Sequence, residues 1–134
     1  MNPLIFVYGT LKRRSRHPMA RRLAQTARWV GAARLAGRLY DLGRFPGLKP
    51  PRNESDWVQG DVYDLGASVS ELMAELDVYE NAESPPPTPY ERTETSAILD
   101  AGGECTVWAY WYQGAVTERQ FIESGSYEAN CDPE

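Results

Sequence analysis

The sequence predicts an α+β fold: a small, mixed and mostly antiparallel β-barrel or half-barrel with two main helices. Three observations carry this reading. Leu4-Ile5-Phe6-Val7-Tyr8 is a continuous apolar, β-favouring run closed by Gly9, the pattern of a strand buried on both faces. Val69, Leu72, Met73, Leu76 and Tyr79 recur at helical spacing. Cys105 to Tyr112 is dense in aromatic and β-branched residues and follows the turn Asp100-Ala101-Gly102-Gly103, which places it in the middle of a sheet.

The remaining elements follow in chain order. Gly9-Thr10-Leu11 forms a turn at the carboxyl end of the first strand. From Pro18 to about Ala27, Met19, Arg22, Leu23, Thr26 and Ala27 outline a weaker amphipathic helix, with proline at its favoured first position. Ala32 to Leu42 alternates Ala33, Leu35, Gly37 and Leu39 against more polar neighbours and reads as a strand softened by glycine at a bend or a close backbone approach. Gly43 to Asp56, punctuated by Pro46, Gly47, Pro50, Pro51 and Asn53, is expected to be a loop. Val58 to Leu65 is the next strand, with Val58 and Val62 on one side and Gln59, Asp61 and Tyr63 on the other. Ser68 and Glu71 match a capping box for the helix that follows, and Asn81 with Ser84-Pro85-Pro86-Pro87 stops it. Pro85 to Pro89 is a stiff rim, Tyr90 to Leu99 a further strand, and Glu118 to Glu123 a short helical or turn piece. Residues 1–128 are expected to form one domain, and 129–134 a frayed acidic tail.

At 134 residues the chain is long enough for one real core and too short for two ordinary domains. Fourteen Lys and Arg against 19 Asp and Glu leave a net charge of -5, which disfavours nucleic acid or an anionic membrane as partner and favours a small polar ligand. Cys105 and Cys131 stand far apart, and His17 is the single histidine, so a structural zinc, a redox dithiol, a Ser-His-Asp and a Cys-His arrangement all lack a residue set. Free thiols in a reducing, cytoplasmic setting are expected. The start lacks the basic and long apolar stretches of a secretion signal, and no segment approaches the roughly 18 apolar residues of a membrane span.

One residue departs from this pattern. Stepping about 100° per residue from Val69, Glu80 falls about 20° past the start of the apolar stripe, so a carboxylate points where a hydrocarbon is expected. Such a group is hydrogen-bonded, paired or used, and burial raises its pKa, which makes it a proton acceptor near neutral pH. The bland alternative is a partly exposed residue bonded to a neighbouring Arg or Tyr. Arg92 either pairs with Glu80 or braces its strand. Lys12, Arg13, Arg14, Arg16, Arg21 and Arg22 form a basic cluster that either steers an anionic substrate or is a solvated face. Trp108, Tyr110, Trp111 and Tyr112 read as core, and His17 as a solvent-facing residue near a helix start.

The motifs Phe6-Val7-Tyr8-Gly9-Thr10-Leu11-Lys12, Gln59-Gly60-Asp61-Val62-Tyr63, Leu76-Asp77-Val78-Tyr79-Glu80, Tyr90-Glu91-Arg92 and Ile122-Glu123-Ser124-Gly125-Ser126-Tyr127 occur in the order found in the gamma-glutamylcyclotransferase superfamily. The chain resembles the AIG2-like and gamma-glutamylamine cyclotransferase branch over nearly its whole length. It departs from the pattern in the proline-rich insertion at 85–89 and in Ser126, which replaces an acidic residue. The resemblance implies release of 5-oxoproline from a small-molecule γ-glutamyl substrate, with no cofactor and no metal. It implies Glu80 as general acid/base and Tyr8, Gly9, Thr10 and Leu11 as a substrate-binding turn whose main-chain N–H groups receive a carboxylate or oxyanion. A binding module that keeps the pocket without turnover is the alternative, since fold likeness alone does not establish activity. A carboxylate-pair hydrolase is a third possibility and requires Asp61 or Asp77 to converge on Glu80.

Overall fold

The computed structural model describes residues 1–9, 18–43, 45–83 and 90–127. The elements are β1 (Leu4–Val7), α1 (Pro18–Thr26), β2 (Arg28–Ala36), β3 (Arg38–Asp41), β4 (Pro46–Lys49), β5 (Trp57–Asp64), α2 (Val69–Glu83), β6 (Tyr90–Leu99) and β7 (Glu104–Tyr112). Five strands close a barrel in the order β1-β5-β2-β6-β7, and β3 pairs with β4 in a separate two-stranded sheet. All pairings are antiparallel except the closing one, where Ile5 of β1 lies beside Trp108 of β7 in parallel. The predicted mixed, mostly antiparallel barrel with two helices is the fold observed.

The alternation of side chains along each strand divides the interior into two layers. Phe6, Tyr8, Ala33, Leu35, Val58, Val62, Ala97, Val107 and Ala109 pack together inside the barrel. Ile5, Val7, Tyr63, Tyr90 and Tyr110 face outward, beneath Leu23 of α1 and Leu72, Met73 and Leu76 of α2. The first strand is therefore covered on both faces, as its unbroken apolar run requires. Gly60 makes the β1–β5 crossing feasible, because a Cβ there would lie 2.3 Å from the carbonyl oxygen of Val7.

Two local expectations need correction. The stretch 43–56 is not all loop: Pro46–Lys49 forms β4, antiparallel to β3, with Leu39 opposite Leu48. A two-stranded sheet accepts proline at the first residue of an edge strand, so the turn residues did not forbid it. Ser68 does not start α2 as an extended cap. It ends a 3-10 turn, Gly66–Ser68, that runs directly into the helix. At the other end α2 continues to Glu83, so Glu80 is helical. The bend at Gly37 does separate β2 from β3, and the piece after Thr117 is a 3-10 turn at Glu118–Gln120. Among the described residues, no helix is long and apolar enough to cross a membrane. Residues 10–17, the 84–89 insertion and the tail from 128 lie outside the described residues.

Candidate functional site

Where β1 ends, its last residues meet the second half of α2 across a cavity. Phe6, Val7, Tyr8, Gly9, Phe45, Pro46, Tyr79, Glu80, Tyr90 and Tyr110 line it. The walls come from β1 and the residues after it, the start of β4, α2, and the paired strands β6 and β7. All but Glu80 are apolar, aromatic or glycine. Glu80 is partly buried, at the point where the helix's apolar stripe gives way to this cavity.

The tyrosines around Glu80 are tied down by their hydroxyls. Tyr8 donates to the carbonyl oxygen of Tyr110 at 2.6 Å, and Tyr90 donates to the carbonyl oxygen of Pro46 at 2.6 Å. Tyr110 donates in turn to Oδ1 of Asp77 at 2.6 Å. Burial first, and the negative charge of Glu80 next, push the Tyr8 phenol well above its usual pKa. Tyr110 is raised too, by burial, by its bond to Asp77 and the charge of Asp77, and by Glu80. Both phenols thus stay protonated, and Glu80 is close enough for its field to reach each of them.

The cyclotransferase-like turn is only partly described. Tyr8 and Gly9 line the cavity, whereas Thr10 and Leu11 lie outside the described residues. Gly9 has a packing reason for its missing side chain: a Cβ there would stand 2.7 Å from Cγ of Pro46. The glycine therefore admits β4 to the cavity wall.

Arg92 braces. It donates from Nε to Oδ1 of Asp77 at 2.8 Å and from Nη2 to Oδ2 at 3.1 Å, and its guanidinium lies 4.6 Å from the ring centre of Trp108. Asp77 lies beside the cavity but not in its lining, and Asp61 accepts from the indole N–H of Trp29 at 3.0 Å on another part of β5. Neither converges on Glu80, which removes the paired-carboxylate arrangement. Of the basic cluster, Arg21 and Arg22 are exposed, with Arg22 bonded to Glu75 of α2, and Lys12, Arg13, Arg14, Arg16 and His17 lie outside the described residues. Among the described residues no group of three or more His, Cys, Asp or Glu is placed to hold a metal ion.

Phe45, Pro46, Tyr90 and Tyr110 were not singled out as site residues from the sequence. Phe45 and Pro46 were hidden inside an apparent loop, and the signal for them was the short apolar run Phe45-Pro46-Gly47-Leu48. The aromatic density around Tyr110 signals plain core; it is buried, at 5% exposure, but the residue also forms part of the cavity wall. The late motif is architectural: Gly125 adopts φ +74°, its carbonyl accepts the N–H of Gln59 at 2.7 Å, and Tyr127 is fully buried.

Comparison with known proteins agrees with this architecture. The family model described as gamma-glutamyl cyclotransferase, AIG2-like, matches residues 5–129. No curated protein matches the chain. Among solved structures the chain is similar to an AIG2-like protein from Mus musculus, at 22% identity and TM-score 0.70, over 94% of this chain and 88% of that one. It is similar to YkqA from Bacillus subtilis at 22% identity and TM-score 0.69, over 95% of this chain but 40% of YkqA, so it spans less than half of that protein. It is also similar to c4763, a uropathogenic E. coli-specific protein, at 23% identity and TM-score 0.60, over 92% and 91% of the two chains. These structural likenesses show a shared fold, and the family match covers almost the entire barrel and both sides of the cavity. The chain belongs to the gamma-glutamyl cyclotransferase, AIG2-like family.

Proposed function

We propose that the protein releases 5-oxoproline from a γ-glutamyl amine or peptide, with Glu80 as general acid/base. The observation that carries this reading is the meeting of a single carboxylate, Glu80, with the Tyr8-Gly9 end of β1 across an otherwise apolar cavity. Glu80 takes a proton from the substrate's α-ammonium. The freed amine attacks the γ-carbonyl carbon and closes a five-membered ring, while the carbonyl π electrons pass to oxygen. Main-chain N–H groups of the turn Tyr8, Gly9, Thr10 and Leu11 stabilise that oxyanion. Collapse restores the carbonyl and breaks the old C–N bond; the proton held by Glu80 passes to the departing nitrogen, and Glu80 then carries the second proton from the ring nitrogen to the released amine, which leaves as an ammonium. One amide is exchanged for another, so no water is consumed and no covalent enzyme intermediate forms. The apolar walls support the reading because they strengthen electrostatic interactions at the reacting atoms. We place the reaction in a single domain spanning residues 1–128 in the cytoplasm.

The test is incubation with γ-glutamyl amines, γ-glutamyl amino acids and glutathione while measuring 5-oxoproline, with Glu80→Gln beside the wild type. Turnover by the variant is expected to fall by at least about a hundredfold, the loss of one general acid/base. Equal rates in the two proteins remove Glu80 from the mechanism. No turnover on any substrate, with saturable binding of 5-oxoproline, identifies a binding module instead.

A further inference from the structure

Asp77 precedes Glu80 by three residues on α2, a spacing that puts Cβ atoms about 5–6 Å apart on a helix surface. Carboxylates on such neighbouring helix positions, even without converging on one point, oppose each other's ionisation. Asp77, however, is held by two neighbouring strands at once: Arg92 of β6 grips both its oxygens, and Tyr110 of β7, paired opposite Arg92 in the sheet, adds a third bond. The guanidinium is itself laid over Trp108 of β7. This is the attachment of the later part of α2 to the barrel wall, one turn from Glu80.

We propose that Asp77, Arg92 and Tyr110 form a positioning triad for Glu80. Arg92 and Tyr110 fix the turn of α2 that carries Glu80, and Arg92 cancels the negative charge that Asp77 otherwise places beside it. The inference rests on Glu80 being the acid/base of the proposed reaction. Among the described residues, the other titratable groups that line the cavity with Glu80 are Tyr8 just after β1, Tyr90 of β6, Tyr110 of β7 and Tyr79 on α2 itself, and Phe45 and Pro46 line it at the start of β4. These are phenols or apolar groups, and Asp77 and Arg92 form the charged pair one helical turn before Glu80.

The experiment separates charge from geometry. The titration of the Glu80 carboxyl is followed by carbon-13 NMR, assigned by its loss in Glu80→Gln, and the pH profiles of kcat and KM are measured on the same proteins. Arg92→Gln leaves Asp77 uncompensated and is expected to move the Glu80 titration up by about one pH unit. Asp77→Asn leaves the guanidinium unpaired and is expected to move it down by a similar amount. Arg92→Lys keeps the charge but not the two-pronged grip, and Tyr110→Phe keeps both charges. These last two are expected to hold the titration near the wild-type value while lowering kcat about tenfold with KM within about threefold, the signature of a misplaced acid/base. An unmoved Glu80 titration across all four variants, with only the melting temperature lowered, overturns the triad. The NMR readout does not depend on turnover, so absence of 5-oxoproline release in the wild type sinks the functional reading while the triad is still decided.

Discussion

Arg38 and Arg92 each hold an aspartate, in contrasting surroundings. Arg38 donates to both oxygens of Asp56 at 3.3 Å, to Tyr40 at 2.8 Å and to Glu118 at 3.2 Å, and its guanidinium lies 3.7 Å from the ring centre of Phe121. Asp56 also accepts main-chain N–H groups from Arg52 and Asn53. Their side chains are 7% and 6% exposed, against 19% and 38% for Arg92 and Asp77. The first network fastens β3, the segment before β5 and the 3-10 turn after Thr117 to one another, and every neighbour is spent on that task. The second sits at a cavity, one helical turn from a carboxylate. The two pairs therefore differ in their neighbours: Arg92 is more exposed and less densely bonded, and its aspartate stands one helical turn from Glu80 in the cavity lining.

The sharpest way to break this contrast is Arg38→Met. Removing the guanidinium leaves the Asp56 carboxylate buried without its counter-charge, so the melting temperature is expected to fall by more than about 5 °C, well beyond the fall for Arg92→Gln. Turnover per folded molecule is expected to stay within about twofold of wild type, since Arg38 does not line the cavity. Thermal melts and assays at low temperature check both halves, and the reverse ranking would undo the distinction.

A smaller effect concerns acid. Both carboxyls are held below their usual range: Asp56 chiefly by the N–H of Arg52, and Asp77 by Arg92 and Tyr110 in the face of burial that opposes them. A depressed folded pKa contributes stability that is fully present above the unfolded carboxylate value, about 4, and is lost as pH falls through the folded value. The gap in melting temperature between wild type and Asp77→Asn is therefore expected to narrow as pH drops from 6 to 3. A gap that stays constant would show that Asp77 contributes by packing, not by charge. The least effect is expected from Arg22→Gln. Its pair with Glu75 has side chains 47% and 39% exposed, and the melting temperature should shift by no more than about 1 °C.

Much of this was legible in the residues. A five-residue apolar run identified β1, helical periodicity identified α2 and isolated Glu80, and aromatic density identified β7 as a strand with neighbours on both sides. Each of these signals reports burial, and burial is what a side chain's hydrophobicity encodes. Less legible was what depends on a partner far along the chain. β4 exists because β3 pairs with it, which overrides the local message of Pro46 and Gly47. The hold of Arg92 on Asp77 depends on β6 lying beside α2; sequence spacing offered bracing only as one of two options. Gly9 was legible as a residue with a purpose, but the purpose found in the fold is the close approach of Pro46.

The closure of the barrel has a consequence for how the protein is made. Leu4–Val7 leaves the ribosome well before its ladder partners at residues 61–64, and its other flank waits for Trp108. Such distant pairings are entropically costly to nucleate and are characteristic of slower folders. A nascent chain that has released α2 already carries its carboxylate but still lacks β7 and Tyr110, a whole wall of the cleft. The cavity should therefore be complete only after the seventh strand has been made and laid beside the first.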